Sequence, residues 1–247
     1  MYALTICAQI VCVAMLLRIA DSFYLSGGTR VARLQQVPGT SLKGAIRSTD
    51  LADSCNNDLK FAICGGGAFS IAMAQVLSDR NISVNLLVRN QSVADHINLH
   101  RHHPKYLTDF LLPEQLWATS DPLMAFADID YIIHAVPMQQ SRSFLLEIKP
   151  FLPISVPILS VTKGMEENTF CLMDDIFAET LGKGRRTAYL SGPSCAREMV
   201  NGEATAVVIA SEGSLASDLS EIMSSAKFRC HTSRDVKVSG LLKRALL

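Results

Sequence analysis

A few short stretches of this chain combine residue types at spacings that could do chemistry. Leu59 to Cys64 is apolar and β-prone, Gly65-Gly66-Gly67 follows at once, and Ala68 to Ala74 is largely small and helix-compatible. A strand that stops at glycines and gives way to a helix exposes unpaired backbone N–H groups and a partial positive charge, which suits a pyrophosphate. Gly65 is expected to make the turn and Gly67 to let phosphates approach the backbone, while Ser70 stands where the usual fingerprint has its third glycine. Alone, the stretch reads as a nucleotide site or as a plain glycine-rich turn. At the end of the next apolar run stand Arg89-Asn90, about 20 positions on, where many NAD-binding units carry an acid for the ribose 2′-hydroxyl. Arg89 could stack on adenine or pair with a 2′-phosphate, which admits NADP without excluding NAD, or it is a solvated strand-end arginine. Lys163, in Thr162-Lys163-Gly164, could reach a cofactor ribose, a substrate oxygen or a phosphate, or it is a lysine in water. Ser191-Gly192-Pro193-Ser194 makes a further tight turn before a new helix start.

These residues need elements to carry them. The spacing predicts a first helix over Ala68 to Ser78, a loop over Asp79 to Asn81 and a second strand over Val84 to Val88. Asp130 to Val136, ended by Pro137, reads as a buried parallel strand whose carboxyl end faces a ligand crevice, with a helix over Met138 to Pro150. Pro157 to Gly164 repeats the scheme and delivers Lys163 at a strand end. A helix over Thr169 to Thr180, a strand before Gly192, a strand over Ala204 to Ala210 and a helix over Ser214 to Ser225 complete the pattern. Strands alternating with helices predict an α/β, Rossmann-like, doubly wound and mostly parallel sheet.

Composition narrows the function classes. The 247 residues are 49% apolar and 19% charged, with 23 basic against 23 acidic side chains. This balance gives no field to attract nucleic acid, which is excluded as a partner. Seven cysteines (7, 12, 55, 64, 171, 195 and 230) contain no C-x-x-C pair, so they predict neither a zinc site nor a disulfide framework. His96, His100, His102 and His103 are close in sequence but lack ligand spacing, and no metal is expected.

The N-terminus reads as an address. Ala3 to Leu17 is almost wholly apolar and meets Arg18 before reaching spanning length, as in a signal-peptide core, the alternative being a buried helix. From Ser22 to Thr49 there is no acid, while Arg30, Arg33, Lys43 and Arg47 sit among serines and threonines, a transit-peptide composition. The expected organisation is a leader over 1–22, a transit-peptide-like or disordered segment over 23–55, a dinucleotide-binding domain over 56–236 and a divergent tail over 237–247. Such a two-part leader resembles the address of plastids with extra membranes, with Phe23 placed as that resemblance requires; a mitochondrial or secretory route is the alternative. No stable membrane span is expected in the mature form.

Taken together, Gly65 to Phe69, Val84 to Asn90, His96-Ile97-Asn98 with Lys105-Tyr106-Leu107, Ala135-Val136-Pro137 with Arg142, Thr162 to Glu166 and Ser191 to Ala196 resemble the NAD(P)-dependent glycerol-3-phosphate dehydrogenases. The resemblance runs from about Leu59 to Val236. It implies reversible reduction of dihydroxyacetone phosphate to sn-glycerol 3-phosphate, with NAD or NADP as cofactor and a role in glycerolipid metabolism. By matching position, Gly65, Gly67, Ala68, Phe69, Arg89, Pro137, Lys163 and Ala196 would bind the cofactor, and Lys163, Gly192 and Ser194 the substrate. Departures include Ser70 for glycine, Met138 where bacterial-type members often carry serine, and His103 and Thr108 in the usual asparagine and proline positions.

Past Val236, members of the family run into Gly-Ala-Leu-Lys-Asn, whose lysine moves the catalytic proton, and then into a helical domain. Here Gly240-Leu241-Leu242-Lys243-Arg244 echoes that motif, so Lys243 is the candidate catalytic residue or a chance basic residue. The C-terminal all-α domain is expected to be absent, leaving the chain catalytically incomplete and an apolar face that would favour a homodimer. The alternatives are a non-catalytic dinucleotide- or partner-binding protein and a different Rossmann reductase of the ketopantoate type.

Overall fold

The computed structural model describes residues 59–236. The expected leader, the transit segment, the joint before Leu59 and the tail with Lys243 lie outside the described residues. Within them the order is β1 (Lys60–Cys64), α1 (Ala68–Ser78), β2 (Ser83–Leu87), α2 (Gln91–His100), β3 (Leu116–Thr119), α3 (Pro122–Ala125), β4 (Tyr131–His134) and α4 (Met138–Ile148). Then come β5 (Ile158–Ser160), α5 (Met173–Leu181), β6 (Thr187–Ser191), α6 (Ala196–Val200), β7 (Thr205–Ser211), α7 (Leu215–Met223) and β8 (Phe228–Ser233).

The strands form one eight-stranded sheet in the order β3-β2-β1-β4-β5-β6-β7-β8. Every neighbouring pair is parallel except β6 with β7. This is the doubly wound, mostly parallel sheet that the alternation of elements predicts. Side-chain alternation on β1 explains why it is central: Phe61 and Ile63 enter one buried cluster, with Ile71, Leu77, Leu86 and Val207, while Ala62 and Cys64 enter the other, with Ile132, Ile148, Ile176 and Phe177. A strand buried on both faces must be apolar throughout, which is why β1 reads as an unbroken run. α1 is buried nearly all round, with Ile71, Ala72, Met73 and Ala74 fully covered, because α6 packs on it as well as the sheet. Burying Ile71 or Leu77 contributes about 1.5–3 kcal/mol each.

The expected helix over Ala68 to Ser78 has the observed bounds. The helix expected from Thr169 starts instead at Met173, because residues before it fold back on themselves. Thr169 donates its hydroxyl to Glu166 (2.6 Å), Phe170 takes a φ of +57°, and Asp175 accepts the Leu172 amide (3.0 Å) to start the helix. No helix among the described residues is long and apolar enough to cross a membrane.

Candidate functional site

In an open α/β sheet the crevice for a ligand lies where strand order reverses, at the carboxyl ends of the central strands. Here that point falls between β1 and β4, and the glycine turn closes it. Gly65 donates its amide to the Leu87 carbonyl (2.9 Å) and has φ +112°. A Cβ at this position would sit 2.8 Å from the Ala135 carbonyl oxygen, so both the torsion and the nearness of the β4 end demand glycine. Gly67 differs: its φ is −87° and a Cβ there would meet nothing within 4 Å. The space before α1 is open, and no side chain caps the helix. Its first-turn amides are therefore available to an incoming oxygen, and the geometry suits a phosphate. Ser70, in the third glycine position, is fully buried.

Arg89 leaves the end of β2 and donates Nη2 to Gln140 Oε1 (3.2 Å) at the start of α4. Because β2 and β4 flank β1, this contact passes over the glycine turn. Pro137 immediately precedes α4 and is held from behind: Ser141 donates its hydroxyl to the Pro137 carbonyl (3.2 Å), and Thr162 donates its own to the Val136 carbonyl (2.8 Å).

Lys163 lies beyond the end of β5 rather than on it. Its Nζ donates to the Ser194 carbonyl (3.4 Å) and stands 5.6 Å from the centre of the Phe69 ring, in the first turn of α1. One ammonium thus stands between the first turn of α1 and the Ser-Gly-Pro-Ser turn. The residue as a whole is exposed, yet packing around the end of its side chain desolvates the charge and lowers its pKa, a shift the nearby Cys195 opposes. Gly192 has φ +142°, and a Cβ there would lie 2.9 Å from the Ala206 carbonyl on β7. Ser194 turns a buried hydroxyl inward without a partner among the described residues, and Ala196 begins α6.

The loop carrying Lys163 is clamped. Arg142, on α4, grips Glu166 through Nε and Nη2 (both 2.8 Å) and Glu179 through Nη1 (2.6 Å). Gln139 spans the same loop, donating to Met165 and accepting from the Glu167 amide. The Arg142 guanidinium, with help from Thr169, holds the Glu166 carboxyl down to about 2.

The residues from Arg101 to Phe110 are a part of the site that sequence reasoning missed. Asp109 binds Arg197 on α6 (2.7 Å), and buried His103 lies against Gly66. The histidine density there invites a metal reading, while Lys105-Tyr106-Leu107 entered only as part of the family resemblance. Among the described residues no group of His, Cys, Asp and Glu is arranged to hold a metal ion. A separate cavity of about 780 Å³ opens at the other end of the strands, where β6 begins, beside Lys183, Arg185, Arg186 and Glu212, away from the crevice.

A doubly wound sheet with a glycine-made helix start at its switch point, and a lysine delivered beside it, defines a Rossmann-type dinucleotide-binding domain of the oxidoreductase kind. Comparison with known proteins is narrower. The sequence model described as "NAD-dependent glycerol-3-phosphate dehydrogenase N-terminus" matches residues 60–216, and the chain belongs to that family. It is 37% identical over 209 residues to "Glycerol-3-phosphate dehydrogenase [NAD(+)] 2, chloroplastic" of Arabidopsis thaliana, covering 82% of this chain and 50% of the relative. It is 36% identical over 194 residues to "Glycerol-3-phosphate dehydrogenase [NAD(P)+]" of Leptospira biflexa, covering 76% and 58%. The crystal structure of a glycerol-3-phosphate dehydrogenase from Coxiella burnetii superposes with a TM-score of 0.68 at 28% identity, over 73% of this chain and 55% of that one. The chain thus spans little more than half the length of these relatives.

Proposed function

We propose that this chain holds NAD(H) or NADP(H) at its glycine turn and takes part in the interconversion of dihydroxyacetone phosphate and sn-glycerol 3-phosphate. The observation that carries the reading is the placement of Lys163 between Phe69 and Ser194, where one cation faces both the cofactor turn and the substrate turn. When bound, the dinucleotide supplies or accepts the hydride. Gly65, Gly67 and Ala68 would place its pyrophosphate on the α1 N-terminus, with Phe69, Arg89, Pro137 and Ala196 lining the rest. Lys163, with Gly192 and Ser194, would orient the phosphorylated three-carbon substrate and balance its charge. The role assigned to Lys163 is electrostatic, its side-chain nitrogen lying between the Phe69 ring and the Ser194 carbonyl. Lys243 is assigned the proton of the hydroxyl.

The Arabidopsis relative is named as chloroplastic, and with the two-part leader this supports delivery of our chain to a plastid of complex type, supplying glycerol 3-phosphate for lipid synthesis.

The test follows absorbance at 340 nm while the full chain meets NADH or NADPH and dihydroxyacetone phosphate, with Lys163→Ala as control and dinucleotide affinity measured in parallel. Oxidation that depends on substrate and falls by about 10²-fold or more in the variant supports the reading. Turnover unchanged by the substitution removes Lys163 from the site. Binding without turnover reduces the reading to a cofactor domain.

A further inference from the structure

His103 is only 4% exposed, and its ring ties together segments that are separate in sequence. Its Nδ1 accepts the backbone N–H groups of both Lys105 and Tyr106, each at 3.0 Å. A ring nitrogen that accepts carries no proton, so in the neutral imidazole the proton is assigned to Nε2. Nε2 lies 3.8 Å from the point a Cβ on Gly66 would occupy, so the protonated ring nitrogen faces the backbone of the glycine turn. The Tyr106 ring leans on the imidazole at 5.1 Å. One side chain therefore fixes the middle of the glycine turn against the amides of Lys105 and Tyr106, in a loop that also holds Leu107 at φ +48°, a conformation a branched residue adopts only when its surroundings impose it.

An asparagine could make the same two bonds, its oxygen accepting both amides while its NH₂ faces the glycine turn. The resemblance described above places asparagine at this position. The difference between the two side chains is the proton. A proton on Nδ1 turns the acceptor into a donor facing two donors, and the arrangement cannot persist.

We propose that His103 is a positioning residue for the phosphate-binding turn, and that its protonation releases the turn and gives dinucleotide binding an acid limit that an asparagine would not impose. The proposal rests on the reading that this turn takes the pyrophosphate. The titratable and charged groups acting on the ring are His96, from α2, and Lys105 and Tyr106, from its own loop; the glycine turn brings only backbone. Burial lowers the His103 pKa from its ordinary value, the nearby Gly66 backbone opposes this, and the charges of His96 and Lys105 reinforce it. The ring is thus neutral and accepting at neutral pH, and the bonds fail on the acid side.

The experiment compares the full-length chain with His103→Asn by calorimetric titration with NAD⁺ and NADP⁺, which are stable in acid, and by amide exchange at Lys105 and Tyr106 without cofactor. Wild type is expected to bind more weakly near pH 5 than near pH 7.5, by up to tenfold per unit once the pH falls below the His103 pKa, while the asparagine variant stays level. Protection of both amides, corrected for intrinsic exchange, is expected to fall in wild type over the same interval and to persist in the variant. Parallel loss of affinity in both proteins, or wild-type amides equally protected at both pH values, would overturn the proposal. If neither protein binds dinucleotide at any pH, the cofactor reading fails instead, and the wild-type exchange data alone still decide whether a proton on His103 frees the turn.

Discussion

Placing alanine at Gly65 and at Gly67 separates what the turn needs to fold from what it needs to bind. At Gly65 an L side chain must take φ +112° and push against a backbone oxygen 2.8 Å away. The torsion costs about 1–3 kcal/mol and the enforced shift about 1–3 kcal/mol more. A total of roughly 2–6 kcal/mol lowers Tm by about 4–24 °C in a domain of this size. At Gly67 the torsion is ordinary and the space is empty, so the change is expected within about 1 kcal/mol, with the gain from a stiffer unfolded chain offsetting the poorer helix cap. The empty space is also where the phosphates are assigned. A methyl group there should leave the melting curve nearly unmoved and weaken NADH binding by about 10-fold or more, the loss of one to two charge-assisted hydrogen bonds. Circular-dichroism melting and NADH fluorescence titration on both variants make the comparison. Should Gly67→Ala bind like wild type, the phosphate assignment is wrong; should Gly65→Ala melt like wild type, the argument from backbone geometry is wrong.

Other expectations follow from the clamp and the cysteines. Glu166 binds fewer protons folded than unfolded between its ordinary 4.5 and about 2, so its contribution is complete above that window and lost as pH falls through it. Urea midpoints measured near neutrality and near pH 3 should therefore converge between wild type and Glu166→Gln as the pH drops; a constant gap would contradict the clamp. Cys64 is buried in the sheet and its thiol is pushed well above the ordinary range, whereas Cys195 is exposed. Alkylation of native protein followed by peptide mapping should label Cys195 and leave Cys64 free until denaturant is added. Early labelling of Cys64 would mean that the β1 end opens under native conditions.

The central elements were legible because burial leaves a simple trace. β1 had to be apolar on both faces, and α1 had to follow it with small residues. The elements that escaped carry weaker traces. α2 buries only Ala94 and Ile97 among ten residues, so its periodicity is lost among polar side chains. β3 is a four-residue edge strand with Trp117 facing outward, and β8 exposes most of its length. The reversal between β6 and β7 has no local signature, since a run of seven mostly apolar residues reads the same in either direction. At the site, glycines and Lys163 stood out by type and place. His103 did not, because its importance comes from two backbone amides, which any residue type supplies, and from a glycine turn packed against it that lies far from it in the chain.

The strand order also has a consequence for biogenesis. β1 emerges from the ribosome first among the strands yet ends in the interior of the sheet, with β2 and β3 added on one side and β4 through β8 on the other. Until β4 arrives, the nascent domain carries an open flank on β1, beside the turn that is to hold the cofactor. That flank is a bare pairing edge of apolar residues, the kind of surface on which chains stick to one another. When the sheet is complete its borders are the short β3 and the polar, mostly exposed β8, both poor templates for further pairing. The order of synthesis thus moves the adhesive edge to the inside and leaves inert ones outside, and the stage at which the chain most needs a chaperone is the interval between β3 and β4.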